Sequence, residues 1–373
     1  MLRPYKPHFL KGYSMWTRQE IEQHSVDMRQ FADFRQSTLD NGMRIVEAYN
    51  SSGLTFNILP DRGLDIWQAF YNGLSLTWCA QGSPYPPDMG QEWLRQFNGG
   101  LLVTCGLTHV GHPETDSITG QWRDIHGLYS RLRATNVSVS RQWNAGNQYV
   151  IELKGVVCES MLFSEQLRLE RTYTLTLGEP AIHIHDLVTN VGDMPSPLMV
   201  LYHFNVGFPL VGAGARLHTP DEKVVPRDDR AVPGLDAWPE YNAATPQYAE
   251  QVFLHHVKAD HEGMSEALLA RNNLGLSIRW DTRTLSYLTQ WKNTRQGIYV
   301  CGIEPGNCWP EGRNMARDSG RLVMIEPGES QEFSCSLTML GSAETIQACQ
   351  QRINTLAQTG RAVQGCDVSG YPI

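Results

Sequence analysis

His203 closes an apolar run, Leu198-Met199-Val200-Leu201-Tyr202, and leads through Phe204-Asn205 into Val206-Gly207-Phe208-Pro209; far downstream, Glu304 stands before Pro305-Gly306. Imidazole exchanges protons near neutral pH and a carboxylate accepts them, so the two residue types together make an acid and base pair. Held across a hemiacetal, such a pair can open and reclose a sugar ring without metal, nucleotide or flavin. No binding motif for those cofactors occurs in the chain, and none is expected. Both residues also have plain readings, a histidine satisfied by a neighbouring carbonyl and an exposed glutamate. Glu326, in Ile325-Glu326-Pro327-Gly328, repeats the strand-then-turn setting of Glu304, and local sequence does not choose between them.

Other residues join the list of candidates. His126 lies in Asp124-Ile125-His126-Gly127, where the glycine lets the backbone turn and leaves the ring facing a ligand. His109 and His112, in Thr108-His109-Val110-Gly111-His112, follow a predicted strand end and can bond hydroxyls. Arg62, in Pro60-Asp61-Arg62-Gly63, can reach a hydroxyl or carboxylate, and Trp291 can lay its flat face on a pyranose; a solvated turn arginine and a core tryptophan are the plain alternatives. His183 and His185 project to one side of a predicted strand, a spacing that also suits metal ligation; His203 or Glu304 could supply a third ligand after folding, but the arrangement lacks the His-x-x-x-His or Cys-rich density of stronger signals, and solvent-facing strand residues are the plain reading.

The elements that must position these groups are strands. Asn41-Gly42, Ser51-Ser52-Gly53, Pro60-Asp61-Arg62-Gly63 and Asn72-Gly73 punctuate apolar stretches in the rhythm of an antiparallel meander. Segments 147–157, 162–176 and 181–190 alternate polar and apolar residues, which predicts long strands with one packed face. Further strands are expected at 274–280, 285–291, 298–303, 322–325 and 333–339. Short helices are expected at 17–24 and 91–97, and a terminal helix from Ser342 to about Leu356. Residues 82–97, rich in Pro and Gly at their start, form an excursion that can act as a lid, and 212–251 reads as a long structured loop. The chain thus predicts an all-β, large antiparallel β-sandwich with a few short helices: an N-terminal extension (1–29), one sandwich domain (30–341) and a C-terminal helix and tail (342–373).

Composition narrows the class. The 373 residues carry a formal charge of −8 and 41% hydrophobic residues, with no stripe of Lys and Arg to follow a phosphate backbone. Nucleic acid is not an expected partner. The eight cysteines are scattered without zinc-knuckle or redox spacing and read as reduced, mostly buried thiols. Met1-Leu2-Arg3-Pro4-Tyr5-Lys6-Pro7 has no apolar signal stretch and no later run approaches membrane-spanning length, so a cytoplasmic monomer or homodimer without membrane association is expected.

Taken together, Leu59-Pro60-Asp61-Arg62-Gly63-Leu64-Asp65, the glycine-rich stretch from Gly99 to Gly111, Ile125-His126-Gly127, His203-Phe204-Asn205 and Glu304-Pro305 resemble the aldose 1-epimerase (galactose mutarotase-like) superfamily, and more narrowly its little-characterised bacterial branch. The resemblance covers about residues 30 to 340. It implies a β-supersandwich with a sugar cleft on one sheet, His203 as general acid to the ring oxygen, Glu304 as general base to the anomeric hydroxyl, and His126 beside the ring oxygen. Arg62, His109, Asn205 and Trp291 are the expected sugar-binding residues. The Asn-Arg pair that well-studied members use on sugar hydroxyls is missing, its place taken by Thr104 to His109, which implies a different sugar. The expected activity is interconversion of the anomers of a free aldose, in carbohydrate metabolism. The rivals are a sugar-binding or sensing protein that lost turnover, and a metal-dependent isomerase using His183 and His185.

Overall fold

Where polar and apolar residues alternate, sheet forms. Tyr149–Ser160, Gln166–Thr176 and Ala181–Asn190 are long strands whose apolar members, among them Leu153, Leu169 and Ile184, are buried. The computed structural model describes residues 16–363. The N-terminal reading at Met1-Leu2-Arg3-Pro4-Tyr5-Lys6-Pro7 and most of the expected tail lie outside the described residues.

Three large antiparallel sheets make the fold. A five-stranded meander runs from Ala32–Thr38 to Leu74–Ser75, its first hairpin turning at Asn41-Gly42, where the Asn41 side chain accepts the Met43 N–H. An eight-stranded sheet has Ala181–Asn190 and Ser330–Leu340 near its middle. The third sheet orders its strands Asp221–Pro226, Gln251–Ala259, Tyr287–Arg295, Ile298–Gly306, Met199–Val206 and Leu102–Leu107. One continuous core lies between the layers, with Tyr202, Phe204, Val206, Cys301 and Ile303 contributed by the third sheet. This all-β sandwich has few helices: Arg18–His24, capped by Thr17; Arg313–Asp318; and Ala343–Thr359, capped by a Ser342–Thr345 box.

Two expectations are revised. The segment 212–251 is not wholly loop: Arg216–His218 and Asp221–Pro226 are strands, and the second pairs with Gln251–Ala259 at the sheet edge. Charged residues and a proline on that edge strand hid its alternation. The helical reading of 91–97 shrinks to a single 3₁₀ turn, Trp93–Gln96.

Between the sheets lies a buried ion network. Arg171 donates to both oxygens of Asp186 (2.9 and 2.7 Å), to Asp65 (2.7 Å) and to Thr104 (2.9 Å), while Tyr202 donates to Asp186 (2.6 Å). Its members come from all three sheets, so it pins the Thr104 and Tyr202 strands to the layers behind them. Burial pushes the Asp65 carboxyl up to about 6 against the opposing pull of Arg171. Five of the described cysteines are buried, Cys158 is exposed, and those described are unpaired thiols. Among the described residues no helix is long and apolar enough to cross a membrane.

Candidate active site

Strand register brings the acid and the base together. In the antiparallel pairing that sets Phe204 opposite Ile303 and Leu201 opposite Gly306, His203 falls opposite Glu304. Both side chains leave the sheet on the face opposite the core, and His203 Nε2 lies 3.1 Å from Glu304 Oε1. Thr289 continues this row beyond Glu304, and the next row holds Trp291, Gly302 and Asn205.

Aromatic rings wall the recess. The His203 ring lies 5.5 Å from Trp291, 5.9 Å from Phe97 and 6.1 Å from His126, and Phe97 stacks on Trp93 at 4.5 Å. Trp93 and Phe97 belong to the 82–97 excursion, which folds over the site. His126 is held in a left-handed backbone conformation between the Gly106 N–H and the Gly111 carbonyl. Gly127 follows it because a Cβ there would sit 2.5 Å from the Gly106 carbonyl oxygen. His126, Phe97 and Trp291 are partly exposed and form the rim; His203 and Glu304 are only 5% and 3% exposed and form the floor.

Polar atoms on this face lack partners. His126 Nδ1, His203 Nδ1, Glu304 Oε1, Asn205 Oδ1 and Thr289 Oγ1 are buried without a hydrogen bond, and the 3.1 Å contact between His203 and Glu304 is not aligned as one. Buried polar groups are normally satisfied, so several orphans on one face mark a place built for a polar ligand. Burial drives the pair toward neutrality: His203 falls to about 4, with a partial offset from Asn205, and Glu304 rises to about 8, with Arg227 lowering and Glu250 raising it. Burial and the neighbouring His203 likewise push His126 below the usual imidazole range. Between the two limits the pair holds one proton, leaving one member able to donate and the other to accept.

His126, His203, Glu304 and Trp291 thus converge, whereas Arg62, His109 and Asn205 take supporting positions. Arg62 is buried, and its guanidinium donates to the carbonyls of Ser130, Tyr85 and Gln96 at 2.7 to 2.9 Å. It is a clamp for the excursion that carries Trp93 and Phe97, with each of its three guanidinium nitrogens bonded to a backbone carbonyl. His109 is sealed in, its Nε2 against the His112 carbonyl at 2.8 Å. Asn205 is fully buried and donates to the carbonyls of Gly100 and His203, fixing the strand beneath the imidazole. His183 contacts Ser336 and His185 contacts Glu332 on another sheet; among the described residues no three His, Cys, Asp or Glu side chains cluster as metal ligands. Replacing Arg62 by Leu is expected to cost about 2–4 kcal/mol, because three buried carbonyls lose their donor; thermal melts would register the loss.

Local sequence reading missed Trp93, Phe97, Arg227, Glu250 and Gly302. Gly302 is the least obvious of these: a Cβ there would meet Glu304 Oε1 at 2.4 Å and Trp291 Cβ at 2.8 Å. The bare position lets the carboxylate lie along the sheet toward His203. Gly302→Ala is expected to keep the fold and lower kcat about 100-fold, since displacing a reacting group by an ångström costs that much. Progress curves beside a circular dichroism melt would check it.

Comparison with known proteins agrees with the fold. A proposed aldose 1-epimerase of Klebsiella pneumoniae is similar over 88% of each chain, with 28% identity and a TM-score of 0.82. A galactose mutarotase-like protein of Clostridium acetobutylicum (16% identity, 84% of this chain and 99% of that one, TM-score 0.58) and a galactose 1-epimerase of Lactobacillus acidophilus (14%, 83% and 99%, 0.53) share the fold. No curated protein matches the sequence. The family model described as "Domain of unknown function (DUF4432)" matches residues 40–339, and the chain belongs to that family, a little-characterised branch of the galactose mutarotase-like fold.

Proposed function

We propose that the chain is an isomerase of the aldose 1-epimerase type, interconverting the anomers of a free aldose. The observation that carries this reading is the register-imposed meeting of His203 and Glu304 in an aromatic-walled recess with unpaired polar atoms. The ring oxygen and the anomeric hydroxyl of an aldose are bonded to one carbon, so an acid and a base in contact reach both. The reacting form is the one in which the pair's single proton has passed from Glu304 to His203 across their 3.1 Å contact: Glu304 then takes the hydroxyl proton as the C1–O bond to the ring oxygen breaks, and His203 delivers its proton to that oxygen. C1 becomes an aldehyde, rotation about C1–C2 turns its other face inward, and the reverse transfers close the ring. The pair starts and ends with one proton, so no co-reactant is consumed. Trp291 offers the flat wall and His126 a nitrogen near the ring oxygen.

Exchange NMR or polarimetry on a panel of free aldoses tests the reading: acceleration for at least one is expected, and none across a broad panel would overturn it. A thermal shift with sugar and no exchange would identify a binding protein instead. The pH dependence is equally specific. Below about 4 both partners are protonated and the base is lost; above about 8 both are deprotonated and the acid is lost. A bell-shaped kcat/KM profile with limbs near those values is expected.

A further inference from the structure

The row containing Trp291 extends to the sheet edge. Trp291 is opposite Val252, and the pairing of Pro226 with Phe253 continues to Arg227, whose N–H donates to the Val252 carbonyl at 2.9 Å. Arg227 therefore shares the face and the row of Trp291, Gly302 and Asn205. Its Nε and Nη2 hold Asp228 Oδ2 at 3.1 and 2.8 Å, and Nη2 lies 3.9 Å from Glu250 Oε1. No hydrogen bond involves Nη1 among the described residues, and the side chain is 16% exposed at the mouth of the recess. Glu250 accepts the Trp291 indole N–H at 2.8 Å.

We propose that Arg227 and Glu250 form a charged strap across the mouth, in which Glu250 fixes the Trp291 ring as the sugar platform and Arg227 donates through Nη1 to a hydroxyl of a neutral aldose. The proposal rests on the sugar reading above. Two carboxylates, Asp228 and Glu250, stand beside the single guanidinium, so the rim repels a second anion. A neutral sugar fits, and a uronic acid or sugar phosphate does not. Glu304 senses both ends of the strap: Arg227 stabilises its carboxylate and Glu250 opposes it, while His203, His126 and the thiols of Cys105 and Cys301 are the other titratable groups around it.

The test compares wild type, Arg227→Leu, Arg227→Lys and Glu250→Gln as full chains, with D-glucose, D-galactose, D-xylose and D-glucuronate as probes. Turnover is followed by exchange NMR and binding by tryptophan fluorescence. Arg227→Leu is expected to raise the half-saturation concentration of the preferred neutral aldose about 10- to 100-fold with a smaller change in kcat, the loss of one charged hydrogen bond. Arg227→Lys should recover part of it. Glu250→Gln still accepts the indole N–H but has lost its charge, so the alkaline limb should move below the wild-type value of about 8 without a change in melting temperature. Unchanged half-saturation in Arg227→Leu, or a preference for D-glucuronate, overturns the strap. Binding weakened by Arg227→Leu in a protein without turnover overturns the isomerase reading and sustains the strap. Neither binding nor turnover with any probe overturns both.

Discussion

Glu304→Gln is expected to slow anomer exchange about 10²- to 10⁴-fold while leaving the protein folded. The amide has nearly the shape of the carboxyl and can keep the 3.1 Å approach to His203, but it cannot take the anomeric proton. Burial already favours the uncharged acid in the wild type, so the variant imitates a state the fold prefers. The linkage has a definite sign. A carboxyl raised from 4.5 to about 8 holds its proton in the folded state where the unfolded chain has released it, so wild-type stability falls as pH rises through that window. Glu304→Gln removes this slope, and melts at several pH values should show the variant equal to or firmer than wild type at the alkaline end. His203→Ala should lose turnover to a similar extent. Because the two groups pass one proton between them, the double variant should fall little below the worse single one.

Alternation along Ala181–Asn190 and the Ser342–Thr345 cap are local signals, readable without knowing what lies across the sheet. Site chemistry is different. Glu304 and Glu326 share the same strand-then-turn sequence, yet Glu304 lies on a central strand opposite His203, and Glu326 is exposed beside the short strand Met324–Ile325. Only the pairing register, a non-local property, separates them. Arg62 shows the opposite failure: a Pro-Asp-Arg-Gly turn suggests a solvated or ligand-facing arginine, but the excursion folds back over it, and carbonyls of Tyr85, Gln96 and Ser130 engage its three guanidinium nitrogens. Arg227 was concealed because its edge strand carries Lys223, Glu222 and Pro226, which read as loop. The Trp93–Phe97 stack reaches His203 through that same excursion, which local reading identified without its cargo.

Arg171→Met is expected to destabilise the fold by about 3–5 kcal/mol, the usual cost of removing one partner from a buried ion pair. Methionine fills much of the volume, so the loss is electrostatic: Asp186, fully buried, and Asp65 lose the guanidinium that bonds both. Tyr202 and Thr104 would still donate to them, but two hydroxyls do not replace a cation. Asp65, already raised to about 6 by burial against the pull of Arg171, would titrate further upward, so the folded variant holds a proton that the unfolded chain has released, and its deficit should grow from pH 5 to pH 8. Thermal melts across that range would measure it; a deficit independent of pH would mean that packing, not charge, is what Arg171 supplies. The comparison with Glu304→Gln separates scaffold from chemistry. Arg171 lies on the core side of the Tyr202 strand, and His203 lies on the other, so activity lost in Arg171→Met should follow the folded fraction and return on cooling, whereas activity lost in Glu304→Gln should be absent from a fully folded protein.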